Sequence, residues 1–284
     1  MYKKILSNEN NAKMYLDILE KRKSINIPRN RNNRISLKSN ELWNFVENTW
    51  DNDISKDIIR EIFRESEKYF NGKTALSRLP QLVDEFKKMF EFLQWGFSSS
   101  QCDKWLQSLN NNYKDISGED KDKMASDAII KNRRLKEINT LRNDYIEYLL
   151  FESNENIIPT LKHNSGVDFF IVNSDGELEK WDQKVSKSVT NEFKKDFGDD
   201  WKEIAISNPA IVAEYLYTYQ DESRFDADNR IFLVYLDDDI NHSNIVNIIN
   251  TIKLDSPINV NFDYKHKNTG IKNYNVKCFV ILLY

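Results

Sequence analysis

The chain has 284 residues, 40% of them hydrophobic and 12% aromatic, enough to bury a sizeable core in one large domain or two modest ones. Its net charge of −4 argues against nucleic-acid binding by bulk charge alone, and no continuous stretch of about 18 apolar residues suggests a membrane span. The start lacks the apolar run of a secretory signal, and Cys102 and Cys278 form no metal-type or disulfide-framework spacing, so the expected location is a reducing cytoplasm.

Charge is unevenly spread. Of the 41 basic and 45 acidic residues, 27 and 23 fall within residues 1–150. The front half therefore carries +4 and the remainder −8, which allows a local basic groove without requiring one.

The front half reads as helical. Residues 2–23 carry Ile5, Met14, Tyr15, Ile18 and Leu19 at helical spacing. A polar loop with Arg29, Arg31 and Arg34 follows. Ser39 is placed to cap a helix through Leu42, Phe45 and Val46, and Ser55 to cap one carrying Ile58, Ile59, Ile62 and Phe63. Gly72 reads as a stop. A further helix is predicted over 79–93, a loop over 96–100 and a short helix over 104–109. Residues 118–151 fit one long helix, or two with a break near Asn132. They hold a basic cluster (Lys131, Arg133, Arg134, Lys136, Arg142) ahead of an apolar end.

The period then switches. Residues 166–188 read GVDFFIVNSDGELEKWDQKVSKS: a strand over 167–172, turn chemistry at Asn173-Ser174-Asp175-Gly176, and an alternating strand over 178–185. Helices are predicted over 190–197, with Gly198 as the stop, and over 210–219 after Pro209; residues 201–206 are ambiguous. The continuous apolar run 230–236 reads as a buried strand. Ser243 is placed to cap a helix, and 259–264 and 274–284 read as strands. This order predicts an α/β (α+β) fold with a mixed sheet core flanked by helices. Residues 1–140 form the helical region and 141–284 the α/β core.

The chemistry concentrates on the hairpin. An acid two residues before a lysine is common by chance in a chain with 45 acidic residues, so the context carries the weight. Aspartate is depleted in strands, yet Asp168 and Asp182 both lie within the predicted hairpin. Asp182 and Lys184 share a face, and closure at the turn brings Asp168 near them. Two carboxylates suit a hard divalent cation such as Mg²⁺, which would lower the pKa of a bound water and polarise a phosphate. Lys184 could position the water, help deprotonate it, or stabilise the phosphorane's charge. Glu147, in the apolar end of the preceding helix, is a further candidate ligand, direct or through water.

With these residues in view, Gly166-Val167-Asp168, a hairpin and then Asp182-Gln183-Lys184 resemble the PD-(D/E)XK nuclease superfamily, and most of all type II restriction endonucleases. Val167 stands where the signature proline would be, and a polar Gln183 fills a usually apolar position. Glu147 matches the acid that many members carry in the helix before the first catalytic strand. The resemblance spans roughly residues 143–236. It implies a restriction-endonuclease-like core in which Asp168, Asp182, Lys184 and Glu147 are catalytic, and the three acids hold Mg²⁺, with Mn²⁺ able to substitute. It also implies double-stranded DNA as substrate, cut by water attack to leave 5′-phosphates.

Competing motifs are absent: no GxxxxGK[ST], GxGxxG, GxSxG or HExxH occurs. His163, His242 and His266 are scattered. Ser186 and Lys187 could hold the phosphate beside the cut, and Arg29, Arg31, Arg34, Arg133 and Arg134 are candidate DNA contacts. The expected partners are a palindromic site read by a two-fold homodimer and a cognate DNA methyltransferase encoded separately. The alternatives are a non-catalytic α/β DNA-binding or interaction protein, and a defence or repair nuclease of the same fold.

Overall fold

Six strands form one mixed sheet in the order β1-β2-β3-β4-β6-β5 in the computed structural model, which describes residues 1–89, 115–164, 166–173, 175–222, 225–237 and 242–284. The predictions over 96–100 and 104–109, and Cys102 with them, lie outside these residues. The strands are β1 (Ile157–Asn164), β2 (Val167–Val172), β3 (Leu178–Ser186), β4 (Arg230–Tyr235), β5 (Ile258–His266) and β6 (Gly270–Leu283). β1, β2 and β3 run antiparallel in sequence; β3–β4 and β4–β6 are parallel; β5 returns antiparallel on β6. Ten α-helices occur among the described residues: α1 (Tyr2–Leu6), α2 (Glu9–Lys23), α3 (Ser39–Thr49), α4 (Asn52–Arg64), α5 (Glu67–Met89), α6 (Gly118–Ser153), α7 (Asn191–Phe197), α8 (Trp201–Ser207), α9 (Pro209–Thr218) and α10 (His242–Thr251). The α/β class and the mixed sheet agree with the sequence reading.

Three local expectations are corrected. Gly72 does not end a helix but lies inside α5 with helical backbone, as does Pro80; a glycine stops a helix where it turns left-handed, as Gly198 does after α7 with φ 56°. Ser55 does not begin α4. The Asp51 side chain accepts the Ile54 N–H at 3.2 Å, and the Asp51 N–H donates back to Ser55 Oγ at 3.1 Å, so the two residues close the helix start from both sides. β1 was not foreseen, because Pro159 interrupts its apolar run. It forms because it is an edge strand, where a missing N–H is tolerated. Residues 118–151 belong to a single helix, and Thr190 caps α7 by accepting the Phe193 N–H at 3.1 Å.

Compactness divides the chain into two units. One comprises residues 1–70 and 147–284, the other 71–146. The division thus falls within α5 and α6, and the first four helices belong with the sheet. Within that first unit, α1 and α4 pack on β1. β4 is buried along its whole length. One core packs Phe193 of α7 and Val212 and Tyr217 of α9 with Phe232, Val234, Phe262, Val276 and Cys278 of the strands. Elsewhere on the sheet Trp181 lies against Phe279, ring centroids 4.8 Å apart.

One buried cation fixes the end of α6. Arg60 of α4 donates to the carbonyls of Phe151 (3.0 Å), Asn154 (3.0 Å) and Ile157 (2.9 Å), and its guanidinium lies 4.0 Å from the centre of the Phe151 ring. Helix C-terminal carbonyls lack partners in their own helix and favour positive charge. Arg60 therefore holds together the last turn of α6, the connection and the first residue of β1. This fixes where Glu147, about one turn before Phe151 on α6, meets the sheet.

Candidate functional site

The turn sets the register from which the site follows. Asn173 Oδ1 accepts the N–H groups of Asp175 (3.0 Å) and Glu177 (2.9 Å), the Asn173 N–H donates to Glu177 O at 2.9 Å, and Gly176 has φ 78°. Asn and Gly are the residues that form such a turn at low cost. Asn52, the first residue of α4, donates its side-chain amide to the Gly176 carbonyl. Closure pairs Val172 with Leu178, Ile171 with Glu179, Phe170 with Lys180 and Phe169 with Trp181. Asp168 and Asp182 are the residues that follow the Phe169–Trp181 pair on the two strands, and the Gln183 N–H reaches Asp168 across the gap between them. Asp182 is in turn the register partner of Arg230 on β4. The sheet thus carries Asp168, Asp182 and Arg230 in one row across three strands, with Lys184 two residues on from Asp182.

Asp168 Oδ2 accepts the backbone N–H of Gln183 at 2.8 Å. Burial pushes the Asp168 carboxyl above its ordinary range; the neighbouring Asp182 charge adds to this, while the Gln183 bond, Lys68 and Lys184 oppose it. The Asp182 side chain is 6% exposed and meets Lys184 Nζ at 2.6 Å, and the Lys184 side chain is 48% exposed. The pair meets by charge without the alignment of a hydrogen bond. One end is desolvated and the other reaches water, so the ammonium stands where an anion arriving from solvent would meet it. Lys184, Asp182 and Asp168 are therefore brought together.

Glu147 takes part through a residue that sequence reading missed. Glu147 and Lys68, of α5, form an ion pair in which both side chains are 7% exposed. Lys68 Nζ also donates to the Thr160 carbonyl and to Thr160 Oγ1, each at 3.2 Å, and Thr160 Oγ1 donates to Asp168 O at 3.2 Å. Lys68 carries no motif and lies far from the hairpin in sequence, so only the fold reveals it. Arg230 was missed for the same reason. It is 4% exposed, donates to Gln220 Oε1 at 3.0 Å and lies 5.1 Å from the centre of the Tyr217 ring.

The donor set fits a hard divalent cation. Three carboxylates lie near two lysine ammonium groups, and among the described residues Asp168 forms no ion pair. Mg²⁺ is commonly held by one or two carboxylates, with water and substrate oxygens completing the shell. Among the described residues, no group of three or more His, Cys, Asp or Glu is arranged around one ion position. Asp168 and Asp182 are therefore the residues that would hold it.

The other sequence-derived candidates are dispersed. Ser186 donates to Ser188 O at 2.6 Å, and Lys187 is exposed at the end of β3. Arg29 is held by Asp17 at 2.6 Å and Glu20 at 2.5 Å. Arg31 and Arg34 are exposed on a tight turn closed by the Arg29–Ile35 bridge. Arg133 and Arg134 belong to the second unit, where Arg134 pairs with Glu137 at 3.5 Å. The His163 side chain lies outside the described residues. His266 faces Tyr274 Oη at 2.7 Å and Glu222 Oε1 at 3.2 Å, on β5. Compared with family models, curated proteins and solved structures, the chain matches none.

Proposed function

We propose that the chain is a Mg²⁺-dependent endonuclease of double-stranded DNA, acting in the manner of a type II restriction enzyme on a restriction-endonuclease-like core. The observation that carries this reading is the row of Asp168 and Asp182 on paired strands, with Lys184 ion-paired to Asp182 at 2.6 Å. Asp168 and Asp182 would hold the cation, which when bound would polarise the phosphate and lower the pKa of a bound water. The Gln183 N–H holds one oxygen of Asp168, and the other would meet the ligand. Lys184 is placed to exchange its contact with Asp182 for a non-bridging phosphate oxygen or the attacking water, and so to offset charge that develops at phosphorus. Water adds to phosphorus, the 3′-oxygen leaves with a proton, and a 5′-phosphate remains. Ser186, the last residue of β3, and Lys187 just beyond it are further candidate donors for the DNA backbone.

A second reading has one observation behind it: Asp182 and Glu147 already have lysine partners within the chain, as carboxylates in a purely structural network would. Cleavage of supercoiled plasmid in Mg²⁺, in Mn²⁺ and in EDTA separates the two. The nuclease reading expects metal-dependent cutting that falls at least ~100-fold in Asp168→Asn, Asp182→Asn and Lys184→Ala. Intact plasmid in both metals, or cutting by Asp168→Asn at the wild-type rate, defeats it.

A further inference from the structure

Lys68 is held from two sides: its ammonium is ion-paired with Glu147 and donates to the Thr160 carbonyl and hydroxyl. Both ends of the Lys68–Glu147 pair are 7% exposed, and a buried pair is costly to open because either charge left alone is desolvated without compensation. Thr160 is joined to the Asp168 backbone in turn, so Lys68 is anchored on the strand beside the carboxylate row. Glu147 does not form a three-acid group with Asp168 and Asp182 among the described residues.

From this we infer that Lys68 is a positioning residue that keeps Glu147 out of the cation site, so that the site has two carboxylate ligands and not three. The inference rests on the metal-dependent reading above. Its consequence is a weak site in the free protein. Ligand charge sets divalent-ion affinity, and with Glu147 occupied the remaining negative charge has to come from the substrate phosphate. Metal binding then tightens when DNA arrives, and little ion is held without it.

The test is titration of Mn²⁺ alone into the full chain, with free Mn²⁺ followed by electron paramagnetic resonance. Asp168→Asn should lose binding. Glu147→Gln should bind as wild type does, because Glu147 is not a ligand. Lys68→Met, which removes this ion-pair partner from Glu147, should bind Mn²⁺ about tenfold more tightly, as an added carboxylate ligand does, and Lys68→Met with Glu147→Gln should return to the wild-type affinity. A loosened structure would weaken binding, so a gain cannot come from damage alone. Weaker binding in Glu147→Gln overturns the inference, as does a folded Lys68→Met that binds no more tightly than wild type. If Lys68→Met does not fold, Glu147→Gln and Lys68→Arg (expected at wild-type affinity) still decide it. If neither wild type nor Lys68→Met binds Mn²⁺, or Asp168→Asn binds it as well as a wild type that does, the metal reading itself has failed, and the inference falls with it.

Discussion

Asp168 is a carboxyl that the fold holds above its ordinary range. Burial is the main cause, and the Asp182 charge adds to it. A carboxyl whose folded pKa lies above its unfolded value binds its proton more tightly in the native state. It favours folding at low pH and loses that contribution as pH rises from the ordinary 3.8 through the raised value. Asp168→Asn keeps an acceptor for the Gln183 N–H and removes the ionisation. It should therefore melt at a higher temperature than wild type at neutral pH, and the difference should shrink toward pH 4. Thermal melts of the two proteins across pH check this. Equal melting temperatures at neutral pH would show that ionised Asp168 is not strained. Metal binding by Asp168 should improve with rising pH over the same window, since the ligand is the ionised form. If Asp168 binds the metal as proposed, stability and function pull in opposite directions at this position.

At the level of elements, the hairpin was legible and its surroundings were not. Asn173, Asp175 and Gly176 act on their own backbone, and the alternation from Leu178 to Val185 needs only the pleat, so the turn, the register and the meeting of Asp168 with Asp182 could be read from a dozen residues. Lys68, Thr160 and Arg230 join the site through tertiary packing, which leaves no local trace. β1 was hidden by Pro159, because whether a proline is tolerated depends on which strands have two neighbours. Gly72 misled because its stopping power depends on a left-handed backbone that α5 never adopts. Two substitutions probe how the elements hold the site. Trp181→Ala empties the space beside Phe279 and next to Asp182, and should cost about 3–5 kcal/mol in chemical denaturation. Arg60→Met removes three hydrogen bonds from the end of α6 and should cost roughly 3 kcal/mol. Because Arg60 sets where α6 meets β1, its loss should also disturb the Lys68–Glu147 contact. A shift below about 1 kcal/mol would mean that water replaces the guanidinium at little cost.

At the scale of the whole molecule, the net charge of −4 means that the proposed DNA binding would rest on local groups. Arg31 and Arg34 are exposed in the same compact unit as the carboxylate row. Arg29 is already committed to Asp17 and Glu20. Arg31→Ala and Arg34→Ala should each reduce the slope of log affinity against log salt by about 1 if the side chain meets a phosphate, with melting temperature unchanged. Arg29→Ala should lower the melting temperature and leave the slope as it is. Binding assays in Ca²⁺ at several salt concentrations distinguish these outcomes, and unchanged slopes would remove the 29–35 turn from the DNA contacts.

The position of Pro159 has a consequence for assembly. An outer strand with free N–H and C=O groups is a template on which another copy can add its own strand. On β1 the template is spoiled twice, by a residue with no N–H to give and by the shift in register between Pro159 and Asn164. The sheet is thus insulated on the side nearest Asp168. On the proposed function, two copies meeting on a symmetric DNA site would do so through side chains or helices on that side, and not by extending the β1–β2–β3 meander.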